Sequence, residues 1–199
     1  MPVESQFTSG TGEAYGIEFF LNKQIGSFSG WIGYTLAWTN RTFKELNYGK
    51  TFPPRYDRRH DISIVLNYKI NQKWEVGTSW VYGTGQAYTM PTGTYMFNDN
   101  PINPNDDINR IHYQYSDRNG VRLPAFHKLD VSLMYKSTFF GLPSVFSINV
   151  YNAYNRRNPF MWYIDEEYYS VGTGYSHSKK VKQMTLFPII PSIGYSVKF

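Results

Sequence analysis

The chain has no cysteine among its 199 residues. That excludes a disulfide framework and a thiolate metal site. It has no apolar run of about 18 residues, so no membrane-spanning helix is expected; this leaves spanning strands open, because they carry apolar residues only at alternate positions. The opening MPVESQFTSG lacks a basic-then-apolar leader. No basic run is interleaved with aromatics, so the net charge of +5 reads as a solvated basic surface and no nucleic-acid partner is expected. His60, His112, His127 and His177 lack zinc spacing. Asn98-Asp99-Asn100 and Asn105-Asp106-Asp107 offer oxygen ligands but lack the glycine and closing glutamate of a calcium loop. Gly10-Thr11-Gly12, Gly83-Thr84-Gly85 and Gly172-Thr173-Gly174 lack the strand–Gly-Lys–helix setting of a phosphate loop. No nucleophile–base–acid set is legible. The expectation is no enzyme, no metal and no cofactor.

What the chain does have is aromatic excess. Its 14 Phe, 18 Tyr and 5 Trp make 19% of the residues, at a mean hydropathy of only -0.47. Soluble cores lean instead on Leu, Val and Ala. Strands with one apolar and one wet face account for both figures at once.

Such alternation recurs along the chain. Tyr15, Ile17, Phe19 and Leu21 oppose Gly16, Glu18, Phe20 and Asn22. After a turn at 24–27, Phe28, Ile32, Tyr34, Leu36 and Trp38 share a face. A polar loop over 41–57 leads to Ile62, Ile64, Leu66 and Tyr68; a turn near Asn71-Gln72 leads to Trp74, Val76, Trp80 and Tyr82. Residues 84–125 read as one long connection. Leu129, Val131, Leu133 and Tyr135 follow, then a turn with Gly141 and Pro143, then Phe146, Ile148 and Val150, fading at Asn152 with a possible continuation toward Tyr163. Residues 165–178 read as a loop, and a last strand is expected to run unbroken from Lys180 to Phe199.

Connections thus alternate short and long, as in outer-membrane barrels, whereas compact soluble domains seldom carry structureless loops beyond about 12–15 residues. Phe28, Tyr68, Trp74, Tyr135, Phe146 and Phe199 gather toward the short turns, and Tyr15, Trp38 and Tyr82 toward the long loops. Such sorting suits two membrane interfaces. About seven antiparallel up-and-down strands are expected, ending at the short-turn side. Bacterial barrels have even strand numbers, and an open edge in lipid is costly, so the chain, which shows no leader, is expected to be the C-terminal piece of a larger barrel, occupying 1–199.

The closing residues Ser192, Gly194, Val197 and Phe199 resemble the signal by which bacterial outer-membrane barrels are read for insertion. FPPRYDRRHDISIVLNY (52–68), YSDRNGVRLPAFHKLDVSL (115–133), NVYNAYNRRNPF (149–160) and LFPIIPSIGYSVKF (186–199), with AYGIEFFLNK (14–23), GWIGYTLAWT (30–39) and WVYGTGQAYTMPTG (80–93), resemble the C-terminal barrel of TonB-dependent outer-membrane receptors of the Bacteroidetes type. The resemblance implies the last third of a barrel of about 22 strands around a plug, importing scarce nutrients across a Gram-negative outer membrane. It implies as partners outer-membrane lipid, the remaining strands and plug, the barrel-assembly machinery, and TonB only through the plug.

Arg59 and Asp61 share one face two residues apart, as do Lys128 and Asp130. They read either as plug or substrate contacts or as a ladder of structural ion pairs. Arg55, Asp57, Arg58, Arg156 and Arg157 lie toward the long loops, either to bind an anionic or sugar ligand or as ordinary solvated charge. Two other classes stay open: a soluble β-sandwich carbohydrate-binding module, and a barrel hydrolase.

Overall fold

The computed structural model describes residues 7–98, 109–171 and 174–199. These residues form strands and, at Asn47–Gly49, one turn of 3-10 helix. In chain order the strands are β1 (Gly10–Lys23), β2 (Phe28–Phe43), β3 (His60–Lys69), β4 (Trp74–Gly83), β5 (Ala87–Tyr88), β6 (Pro91–Asn98), β7 (Asn109–Tyr115), β8 (Val121–Arg122), β9 (Phe126–Phe139), β10 (Leu142–Tyr151), β11 (Met161–Val171), β12 (Gly174–Met184) and β13 (Ile190–Val197).

Seven of them make one antiparallel sheet in the order β1-β2-β3-β4-β9-β10-β13. The sheet is open, with β1 and β13 at its edges. These are the strands read from the alternation, with the short connections at 24–27, 70–73 and 140–141. Local chemistry sets the turns. Phe140 (φ 49°) and Gly141 (φ 79°) both take the left-handed conformation that a two-residue hairpin needs to match strand twist. Asn71 Oδ1 accepts the N–H groups of Lys73 (2.8 Å) and Trp74 (2.9 Å), turning the chain into β4.

Register then aligns like with like. Trp74, Tyr135, Phe146 and Tyr195 are successive partners across four strands, and so are Val76, Leu133, Ile148 and Ile193. Ile32, Ile64, Trp80 and Leu129 form another row, and Tyr34, Ile62, Tyr82 and His127 another. All lie on one face of the sheet. Ser63, Gly77, Asp130 and Gly194 lie on the other, as alternation demands.

The apolar face is not covered. Ile32 is 39%, Ile148 40% and Ile193 74% exposed. Among the described residues only Phe52, Ala87 and Leu123 are buried hydrophobic side chains. A water-soluble domain of this length would bury most of its large apolar side chains.

Five sequence expectations are corrected. Residues 84–125 are not one structureless connection: they hold β5 paired with β8 and β6 paired with β7. Residues 165–178 are not a loop but belong to a hairpin of β11 and β12, and the chain does not continue as one strand from Lys180 to Phe199. Charge pairing between Asp165, Glu166, Glu167 and Lys179, Lys180, Lys182 favours that hairpin, and Pro188 falls in the break before β13. The hairpin adds two strands outside the main sheet, so the C-terminus still lies beside the short turns, with Val197 opposite Ser144. The sixth strand stops at Tyr151, where Asn152 (φ 52°) turns left-handed. Finally, Tyr195 and not Phe199 completes the aromatic row at the turn end. Phe199 lies past the strand end, 103% exposed.

Pro191 sits within β13 opposite Val150. Lys198 N–H donates to Pro143 O at 2.9 Å, so even-numbered residues of β13 point their ladder groups at β10. Pro191 therefore lacks an N–H only on the free edge.

The chain divides into two compact units. The first comprises Met1–Tyr15, Trp38–Asp57 and Gln86–Arg122; a bridge between Arg41 and Phe52 and the stack of Phe43 on Phe52 tie its strand ends to its loops. The second comprises Gly16–Ala37, Arg58–Gly85 and Leu123–Phe199 and carries the hairpin of β11 and β12.

Candidate functional site

The polar face of the second unit has a furrow running across the strands. Ser29, Asn67, Gly77, Ser132, Asn149 and Ser192 are successive register partners on six strands, and all are small or amide-bearing. Val65, Ser79, Asp130 and Tyr151 lie on the next row or beside it and help to line a cavity of about 360 Å³. Gly77 leaves room for its neighbours: a Cβ there would come within 2.5 Å of Ser132 Oγ and 3.0 Å of Asn67 Oδ1, and those side chains would have to turn away. The furrow offers hydroxyls, amides and one carboxylate. It suits hydrogen bonding to a polar chain or polyol and contains no nucleophile–base pair.

Asp130 is already engaged. One oxygen holds the Lys128 ammonium, and the other accepts Asn152 N–H at 2.9 Å. Lys128 Nζ also sits 4.1 Å from the centre of the Tyr151 ring. The pair is thus made as the spacing suggested. Asp61 accepts from Arg58 Nη1 at 3.1 Å, both side chains being well exposed. Arg59 accepts Ala37 N–H through its carbonyl at 3.1 Å, joining β2 to the start of β3.

Arg156 and Arg157 belong to a pinned corner after β10. Asn152, 1% exposed, donates through Nδ2 to the carbonyls of Arg156 (3.0 Å) and Phe187 (3.1 Å), and its Oδ1 accepts Arg156 N–H at 3.0 Å. Asn158 copies a strand partner: its Oδ1 accepts His127 N–H at 3.0 Å and its Nδ2 donates to His127 O at 2.9 Å. Arg156 Nη2 donates to Ala125 O at 2.9 Å, while its Nε is buried without a partner. Arg157 accepts Gln183 Nε2 at its carbonyl, 3.0 Å away. The side chains of Asn152 and Asn158 make most of the bonds that close this corner. Their signal was in the sequence: repeated Asn at a strand end marks left-handed turns.

In the first unit Asp57 is 3% exposed. Its carboxylate accepts Thr39 N–H at 3.1 Å and pairs with the Arg122 guanidinium, whose Nη1 also donates to Asp57 O at 3.0 Å. Asn119 adds bonds to Pro53 O (2.8 Å) and, through its N–H, to Thr89 Oγ1 (2.9 Å). Asp57, read from the sequence either as a ligand contact or as solvated charge, is thus a buried carboxylate paired with Arg122. Arg55 lies 5.9 Å from the Tyr56 ring centre and accepts Ala87 N–H at 3.2 Å.

The terminal residues lie where the alternation places them. Ser192 and Gly194 are on the polar face of β13, Val197 on the apolar face, and Phe199 beyond it. Asp99, Asn100 and residues 105–107, offered above as oxygen ligands, and Gly172-Thr173 fall outside the described residues. Among the described residues no group of three His, Cys, Asp or Glu side chains converges on a common point. Compared with protein families, with characterised proteins and with solved structures, the chain finds no match.

Proposed function

We propose that the chain is a section of an outer-membrane β-barrel, apolar face to lipid and polar face to the lumen, within a nutrient receptor resembling the TonB-dependent importers. The observation that carries this reading is the uncovered apolar face, unbroken over seven strands in a chain that buries only three hydrophobic side chains among its described residues. Water would penalise such a face by about 25 cal/mol for each Å² left exposed, and hydrocarbon would not. The rows from Trp74 to Tyr82 span about 27 Å along the strand, or about 20 Å across a membrane at a tilt of about 40°, near the height of a barrel's lipid-facing band. Aromatic residues bound both ends of that stretch: Trp74 and Tyr135, 4.6 Å apart, beside the turns, and Tyr82 and His127, 6.3 Å apart, beside the loops.

On this reading the free edges of β1 and β13 meet the remaining strands of the barrel, and the furrow contacts the plug or a polar substrate in transit. The assembly machinery reads the end of β13, and TonB acts through the plug. A soluble sandwich would need Ile64 and Val131 sealed between two sheets, and both are only half-buried.

The absence of cysteine makes the test clean. Single cysteines at Ile64, Val76, Val131 and Ile193, and at Ser63, Ser79, Ser132 and Ser147, are placed in the chain reconstituted into phosphatidylcholine vesicles. A water-soluble maleimide should label the serine positions at least ten times faster than the apolar ones. Equal labelling of the two sets would end the membrane reading.

A further inference from the structure

The apolar face changes character along β1 and β2. On β1 the residues before Tyr15 on its face are Thr11 and Glu13; on β2 those after Trp38 on its face are Asn40 and Thr42. Tyr15 and Trp38 stack at 5.4 Å, 13° from parallel, and mark the change. Just past them lies a cavity of about 320 Å³ lined by Thr11, Gly12, Glu13, Asn40, Thr42 and Thr51. That volume falls within the range of about 300–1,000 Å³ common to small-ligand sites.

We infer that this pocket holds the neutral sugar headgroup of a glycolipid, an inference that rests on the membrane reading. Along β1 and β2 its residues follow directly on Tyr15 and Trp38, where the apolar alternation of both strands ends, and on the membrane reading that is where lipid gives way to headgroups. Its chemistry selects among headgroups. Asn40 Nδ2 donates to Glu13 Oε1 at 3.1 Å, and the hydroxyls of Thr42 and Thr51 share a bond of 2.9 Å. The Thr11 hydroxyl and Glu13 Oε2 meet no side-chain partner among the described residues. A sugar hydroxyl can donate to that carboxylate oxygen and accept from the threonine. A phosphate would face the Glu13 carboxylate, and no lining side chain is cationic.

The full chain in lauryldimethylamine oxide micelles is titrated with digalactosyl diacylglycerol, with phosphatidylglycerol and with free galactose, and bound molecules are counted by native mass spectrometry. Digalactosyl lipid should bind at least ten times more tightly than phosphatidylglycerol. Glu13→Gln, which keeps side-chain shape, and Thr42→Val should each weaken it five-fold or more with strand content unchanged by circular dichroism. Weaker binding of free galactose identifies the lipid-linked sugar as the ligand; equal binding, equal uptake of phosphatidylglycerol, or indifference to both substitutions overturns the inference. Maleimide labelling at Ile64→Cys and Ser63→Cys in phosphatidylcholine vesicles is scored alongside. If the two differ but no sugar binds, the pocket assignment fails alone; if they label alike, the membrane reading has failed beneath it.

Discussion

Asn152 illustrates how much of this structure is decided by single amides. It is buried, left-handed at φ 52°, and joined by its side chain to Arg156 and Phe187. Asn152→Ala removes those bonds and adds left-handed strain, so the expected loss is about 2–4 kcal/mol. Asn152→Gly removes the bonds but not the backbone freedom, and should cost about 1 kcal/mol less. Urea unfolding of the micelle-bound chain measures both; identical losses would mean that the left-handed conformation is not strained. The sequence drew attention to Arg156 and Arg157 because charge is conspicuous. Which of the polar residues would be buried depended on the return of Phe187 to the corner, a contact across 35 positions that local pattern does not encode. Asp57 is similar: its partner Arg122 is 65 residues away.

The β11 and β12 hairpin is an element whose pairing rests on charge. Lys182 lies 2.5 Å from Asp165 and 3.1 Å from Glu167, and Lys180 lies 2.7 Å from Glu167. Hydrogen bonds from Lys180 and then Lys182 hold the Glu167 carboxyl below its ordinary value of 4.5. Bonds to Asp165 first, then Glu167, hold the Lys182 ammonium above its ordinary 10.5. The sign follows for each. Glu167 contributes stability above pH 4.5 that is lost as pH falls through its lowered value. Lys182 contributes below pH 10.5 and loses that contribution only as pH rises through its raised value. Amide exchange over Trp162–Glu167, corrected for intrinsic rates, should therefore lose protection on moving from about pH 6 to about pH 2.5, and about 1 M salt at pH 6 should act in the same direction by screening. Protection unchanged by acid would show that the charge pairs do not hold the hairpin. The apolar period of these residues is weak, so the sequence alone points to a loop followed by a single long strand. The cross-strand charge match becomes visible only once the two segments are paired.

At the scale of the whole molecule the open sheet is the dominant fact. β13 presents the ladder groups of its odd-numbered residues at a free edge, since the even-numbered ones point at β10. Free edges recruit other strands. The isolated chain in micelles should self-associate with rising concentration, and Tyr195→Pro, which deletes an edge donor, should reduce that association while leaving strand content intact. Ser196→Pro deletes a donor aimed at β10 and should instead loosen the pairing of β13. Sedimentation of the micelle complexes and circular dichroism separate the two. Association unaltered by Tyr195→Pro would mean that this edge is not the contact.

By itself the sequence determined the seven main strands, their two faces and the end of the sheet at which each connection lies. Those properties follow from a period of two and from turn residues, both local. Tertiary structure alone decided the register that turns scattered serines, asparagines and a glycine into one furrow. It also decided the burial of Asp57 against Arg122, the asparagine corner closed by Phe187, and the folding of 161–184 into its own hairpin. Each of these depends on partners many residues apart, and the hydrogen-bond geometry that joins them exists only after the strands have met.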